Sequence, residues 1–221
     1  TPLYSSAASD VYKRQAVFNL AAEPLRPMDW KVDPEKQSKA ETLLLMFSDA
    51  HVGEVVNLAQ MGGRNSYNVE IAGSRIRRYF EHAVKLATVH WSGPPPECIY
   101  LLLMGDLITG EIHEELAKTN DLQSVGAVRA CSEFIISGLK MLRTAFPKTP
   151  IHVVSIPGNH GRVTRKPESK NHAVDSYDIL IGWIVEAHAK ASKWDNVTFS
   201  APAAGEAVPV SYTHLRAHET E

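Results

Sequence analysis

The chain has 221 residues, 44% of them hydrophobic and 22% charged, with a formal net charge of −2. These values suit one globular domain with ample core material and exclude a disordered tail, and two cysteines are too few for a disulfide scaffold. Near-neutral charge gives no global reason to expect nucleic acid or an anionic membrane as partner, although a local basic patch fits under a neutral total.

The ends read differently from the middle. SSAASDVYKRQ at 5–15 and SYTHLRAHET at 211–220 resemble translated sequencing-adapter read-through, and neither carries a periodic apolar pattern. The expectation is therefore a non-native end over 1–15, a linker over 16–41, the N-terminal part of a domain over 42–208 and a second non-native end over 209–221, the whole being a fragment of a longer protein. Cys98 and Cys131 read as buried, reduced thiols. No apolar run is long enough to span a bilayer and no charged-then-apolar leader opens the chain, so a cytoplasmic protein with no membrane partner is expected.

From residue 42 the pattern alternates between strand and helix. TLLLMFS (42–48) is a short apolar run of the kind found in a buried strand, followed by the polar turn Asp49, Ala50, His51. Val69, Ala72, Ile76, Tyr79, Ala83 and Leu86 step by three and four, which marks an amphipathic helix that GPPPE (93–97) stops. CIYLLLM (98–104) is a second strand, ending at Gly105 and Asp106. Val128, Cys131, Ile135, Leu139, Leu142 and Phe146 mark a second long helix. IHVVSI (151–156) is the third strand, a helix through Tyr177, Leu180, Ile184 and Ala187 follows, and NVTFS (196–200) is the fourth strand. This βαβαβαβ order predicts an α/β fold with a mainly parallel sheet and right-handed crossovers.

Ligands bind such sheets at the carboxyl edge of the strands. The first three strands end in Asp49 and His51, in Asp106, and in Asn159 and His160. Each feature alone has an ordinary explanation, since a strand-end aspartate commonly caps a helix or makes an Asx turn. Three turns that place carboxylates, imidazoles and an amide on one edge point instead to a shared site. Carboxylate, imidazole and amide oxygen suit Mn, Fe, Zn or Ni. Two such ions about 4 Å apart activate a hydroxide and hold the oxygens of a phosphoryl group. His160 is then placed to protonate a leaving alkoxide or to stabilise transition-state charge.

FSDAHVGE, LLLMGDLITG and IPGNHGR resemble, in order, the Asp-x-His, Gly-Asp and Gly-Asn-His blocks of the calcineurin-like metallophosphoesterase superfamily. The likeness runs from about residue 42 to the fourth strand near 200. It implies a sandwich of two sheets flanked by helices, with a dinuclear divalent centre in which manganese is the first expectation and iron, zinc or nickel the alternatives. It implies that Asp49 and His51 bind the first ion, Asp106 bridges, Asn159 binds the second ion and His160 is catalytic. The protein Ser/Thr phosphatases of the superfamily carry Asp-Arg-Gly soon after Gly-Asp, where this chain has Thr109 and Gly110. DAHVGE and GNHGR are more similar to nuclease-leaning and phage-borne members. The superfamily's later metal-binding histidines find no match before 208: His214 lies in the adapter-like end and His188 stands between Ala187 and Ala189 on a helix. The resemblance thus implies the first half of a metal site, poorly active by itself.

Arg162, Arg165 and Lys166 in GRVTRKPESK form a basic cluster that reads either as a phosphate-binding fork, with Arg162 the candidate, or as a solvated loop. Glu54, His113, Glu114 and Glu115 read either as groups orienting the ligands or as a polar first helical turn. The expected function is a divalent-metal-dependent phosphoesterase acting on a phosphate-ester substrate, with phosphodiesters such as DNA ahead of small phosphomonoesters. A catalytically inactive scaffold of the same fold is the competing class, and protein partners are left open.

Overall fold

A computed structural model describes residues 41–91, 93–164, 166 and 174–202. The adapter-like ends, residues 16–40 of the expected linker, 203–208 of the expected domain, and Arg165 and His214 lie outside the described residues. The chain divides into two units, Thr1–Ser38 and Lys39–Glu221, and every described residue belongs to the second.

Four strands, β1 (Thr42–Phe47), β2 (Cys98–Leu103), β3 (Ile151–Ser155) and β4 (Val197–Ser200), pair in parallel in that order. Helix α1 (Val69–Lys85), extended by a π-helical turn over Leu86–His90, connects β1 to β2. Helices α2 (Glu114–Thr119) and α3 (Ser124–Ala145) connect β2 to β3, and α4 (Tyr177–Ala191) connects β3 to β4. A strand order that steps one way, with right-handed crossovers, puts the connecting helices on one face of the sheet. The core bears this out, because Leu45 and Phe47, Leu101 and Leu103, and Ile151 and Val153 share one cluster with Ile76 and Phe80 of α1, Ile135 and Leu139 of α3, and Ile181 and Val185 of α4. No helix among the described residues is long and apolar enough to cross a membrane.

Local chemistry sets the helix ends. The side chain of Asn68 accepts a hydrogen bond from the amide of Ile71 at 2.8 Å and so caps α1. Gln123 offers no cap to α3, and Glu111 acts in its place, its Oε1 accepting both the amide and the hydroxyl of Ser124 at 2.8 Å. Those two bonds hold the Glu111 carboxyl below its ordinary value.

Two expectations are corrected. β1 is buried on one face only, with Leu44 and Met46 exposed by 55% and 50% while Leu45 and Phe47 are buried. A purely apolar run carries no alternation, so it could not reveal that half of it faces away from the core. On α4 the buried stripe is Asp178, Ile181, Gly182, Val185 and Ala189, with Ile179 also buried, and Leu180 and Ala187 are exposed. That helix is apolar nearly all round, including an exposed Trp183, so spacing by three and four fits more than one face.

Candidate metal centre

The site begins where β1, β2 and β3 end. Beyond Phe47 the chain stays in parallel register with the turn after β2: Asp49 N donates to Gly105 O at 3.2 Å, His51 N to Asp106 O at 3.0 Å and Val52 N to Leu107 O at 3.0 Å. The Asp-x-His turn is thereby laid residue by residue against the Gly-Asp turn. Thr109 joins both to the third turn, its hydroxyl donating to His51 O and its carbonyl accepting from His160 Nδ1, each at 2.9 Å. Neither aspartate caps a helix. Asp106 Oδ1 instead accepts the amide of His160 at 2.7 Å, which ties the second turn to the third.

Asp49, His51 and Asp106 all sit in the left-handed region, at φ 52°, 43° and 50°. Among the described residues the only other non-glycine there is Lys193, where the chain turns out of α4. A histidine or aspartate held at such angles marks strain, of order 1–3 kcal/mol each, that the surroundings must over-determine.

The three residues converge, with one ligand atom from each lying within 4.8 Å of the other two. Two donors on opposite sides of an ion at bonds of about 2.1 Å stand about 4.2 Å apart, so the cluster is close to coordinating size. Two carboxylates and an imidazole form an oxygen and nitrogen set that fits the expected divalent ions. No lysine or arginine among the described residues forms an ion pair with Asp49 or Asp106. A bound divalent cation would bring opposite charge to both carboxylates.

His160 stands edge-on to His51, with ring centroids 4.6 Å apart, and the His113 ring lies 6.2 Å away on its own approach. Because a carbonyl only accepts, the contact with Thr109 O assigns the proton of His160 to Nδ1 and leaves Nε2 to gain or lose one. Gly110 is required here, since a Cβ on it would lie 2.2 Å from the His160 carbonyl oxygen.

The other expected residues differ in exposure and partners. Asn159 is exposed at the tip of its turn. Arg162 donates from Nε to Thr164 O at 3.0 Å within its own loop, and Lys166 is exposed. Glu114 and Glu115 occupy the exposed first turn of α2. Glu54 lines, together with Asp49, His51, Tyr67, Arg75 and Tyr79, a cleft of about 540 Å³. Tyr67 OH donates to Ala50 O and Tyr79 OH to Met46 O at 2.8 Å, and burial pushes the Tyr79 hydroxyl up to about 12.

One residue beside the site escaped the sequence reading altogether. Asp178, fully buried near the start of α4, accepts amide hydrogens from both the second and third turns. Burial raises its pKa, and the amides of Gly158 and Leu107 oppose that shift. An Asp at the start of the apolar run YDILIGWIV was the signal available in the sequence.

No protein-family model, curated protein or solved structure matches this chain.

Proposed function

We propose that this chain carries the first part of the metal site of a divalent-metal-dependent phosphoesterase of the calcineurin-like metallophosphoesterase type, acting on phosphodiesters with nucleic acid the favoured class. The observation that carries the reading is the convergence of Asp49, His51 and Asp106 at one sheet edge, each in a strained left-handed conformation, with His160 beside them. Asp49 and His51 would hold one ion, Asp106 would reach both, and Asn159 would serve the second, manganese being the first candidate. Bound divalent ions supply an activated hydroxide and neutralise phosphoryl oxygens.

The chain's own residues contribute position and protons. Asp106 is oriented by the amide of His160, so ligand and acid move as a unit. His160 keeps its Nδ1 proton on Thr109 O, and a second proton taken up at Nε2 from solvent would pass to a leaving oxygen, returning the ring to its neutral form. The cleft of about 540 Å³ opening from Asp49 and His51 is large enough for the organic part of an ester. The two-sheet sandwich belongs to the same proposal, supported by the exposed apolar face of β1 at Leu44 and Met46, where a second sheet layer would pack.

The test is manganese-dependent hydrolysis of bis-p-nitrophenyl phosphate and of a labelled DNA strand, beside Mn²⁺ binding followed by electron paramagnetic resonance. The unsubstituted chain should bind Mn²⁺. Asp106→Asn should lower affinity and rate by at least about 100-fold, since losing even the partners that orient ligands costs 10- to 100-fold. Unchanged hydrolysis in that variant would refute the role of Asp106. Absence of Mn²⁺ binding and of cleavage both in this chain and in a version extended by its genuine downstream sequence would instead favour a non-catalytic scaffold.

A further inference from the structure

Asp178 lies 72 residues after Asp106, yet its carboxylate accepts hydrogen bonds from three backbone amides around the site. Oδ1 takes the amide of Leu107 at 2.9 Å, and Oδ2 takes those of Gly158 at 2.8 Å and Asp106 at 3.3 Å. Asp106 and Leu107 belong to the turn after β2, and Gly158 belongs to the turn that presents Asn159 and His160. A single buried side chain therefore spans the two turns that would carry the bridging ligand and the acid.

The room for it is made by a glycine. A Cβ at Gly161 would stand 2.2 Å from Asp178 Oδ2 and 2.6 Å from its Cγ. The start of α4 is locked onto the same turn, with Tyr177 N donating to Gly161 O at 2.6 Å and Ser176 Oγ accepting the amide of Asp178 at 3.2 Å. The second glycine of GNHGR, in the sequence merely a loop residue, is thus the place where α4 delivers a carboxylate to the site.

We infer that Asp178, admitted by the bare Cα of Gly161, is a positioning residue that sets the spacing between the Asp106 and His160 turns and thereby the divalent-cation affinity of the cluster. This rests on the metal-binding reading above. The role needs two acceptor oxygens. An asparagine offers one, and its NH₂ would face a backbone N–H across the other position. A residue that only clips the fold together would alter stability without changing how the folded chain binds the ion.

The experiment titrates Mn²⁺ into the whole chain and into Asp178→Asn, Asp178→Ala, Gly161→Ala and the Gly161→Ala/Asp178→Ala double variant, with circular dichroism confirming the fold. Each single variant should bind Mn²⁺ about 10- to 100-fold more weakly, the range expected for a partner that orients ligands. Gly161→Ala introduced into the Asp178→Ala background should cost no more than about twofold further, because the two closest atoms it meets are gone and only the Ser176 hydroxyl, at 2.9 Å, remains. Affinity unchanged in Asp178→Asn, or an equal loss from Gly161→Ala in both backgrounds, would overturn the inference. Should one Asp178 variant fail to fold, Gly161→Ala alone decides between weaker and unaltered binding. If the unsubstituted chain binds no Mn²⁺, the metal reading fails separately, and amide hydrogen exchange in the metal-free chain then tests the spacing role. Faster exchange at Leu107 and Gly158 in Gly161→Ala would support it, and unchanged exchange would overturn it.

Discussion

Gly105→Ala tests whether the tight contact between the second and third turns is what builds the site. Gly105 lies at φ +85°, and a Cβ there would meet Gly158 N at 2.3 Å, Gly158 Cα at 2.5 Å and the Pro157 carbonyl carbon at 2.8 Å. A left-handed L-residue costs about 1–2 kcal/mol, and forcing an extra methyl into a packed site about 1–3 kcal/mol, giving about 2–5 kcal/mol together. All three colliding atoms are backbone, so no side-chain rotation relieves them. Gly158 is itself held by the bond from its amide to Asp178 Oδ2 at 2.8 Å. The remaining relief is to part the turns, which lengthens the 2.7 Å bond from His160 N to Asp106 Oδ1. With an m-value of about 2–3 kcal/mol/M the urea midpoint should fall by about 1–2 M, and Mn²⁺ affinity should fall with it. Gly62→Ala is the control, because Gly62 has a similar φ of +60° and nothing within 4 Å of its Cβ position. It should show the conformational cost alone and leave Mn²⁺ binding intact. Equal midpoint shifts in the two variants, or full Mn²⁺ affinity in Gly105→Ala, would refute the packing argument.

His51→Gly should raise the urea midpoint, by about 1 kcal/mol of relieved left-handed strain, while abolishing tight Mn²⁺ binding; a lower midpoint would mean that the imidazole stabilises the apo fold more than its backbone strains it. Burial raises the pKa of both thiols, but Cys131 is fully buried and Cys98 only partly. A thiol reagent should therefore label Cys98 slowly and Cys131 only after unfolding, as mass spectrometry of the labelled chain would show. Glu111 has a folded pKa below its ordinary value of 4.5, so its contribution is present above pH 4.5 and is lost as pH falls through the depressed value. Glu111→Ala should cost about 1 kcal/mol at neutral pH, and the gap between the two chains in urea unfolding should close in acid; a gap constant from pH 7 to pH 2 would show that the carboxylate does not cap α3.

The order of strands and helices was legible because each strand is a short apolar run that ends in Gly, Pro or Asp, and each long helix closes before proline or a polar turn. Parallel pairing followed from the alternation. The bare face of β1 was not legible, since Leu43 to Met46 are apolar on both sides, nor was the buried stripe of α4, where apolar residues surround Asp178. Asp49, His51, Asp106 and His160 were legible as a set only by assuming that strand ends share an edge, and the structure brings those four together. Hydrogen bonds between distant turns left no periodic trace, so the pairing of Asp178 with Gly158 and Leu107 went unseen. Arg162 was legible as a basic residue beside the third turn, while the bond from its Nε to Thr164 O in the same loop was not.

The left-handed residues carry the argument from fold to function further than composition does. Lys193 needs no special account, since it follows α4 at a point where chains commonly turn left-handed to end a helix. Asp49, His51 and Asp106 follow strands, end no helix, and occupy two turns that glycine would fill at lower cost. Their conformations are over-determined from outside: by the ladder from Asp49 N and His51 N to the turn after β2, by Thr109 reaching the His51 carbonyl, and by Asp178 gripping the amides of Asp106 and Leu107. Each of these contacts acts on the backbone of the three residues, whose side chains converge. A fold that directs so many contacts onto three strained residues, and brings two carboxylates together with no paired cation among the described residues, supports the proposal that the cluster takes a cation from solution. The same reasoning places the cost where it can be measured. Removing a ligand side chain should spare or stabilise the apo fold, whereas removing a backbone clamp should weaken both fold and site.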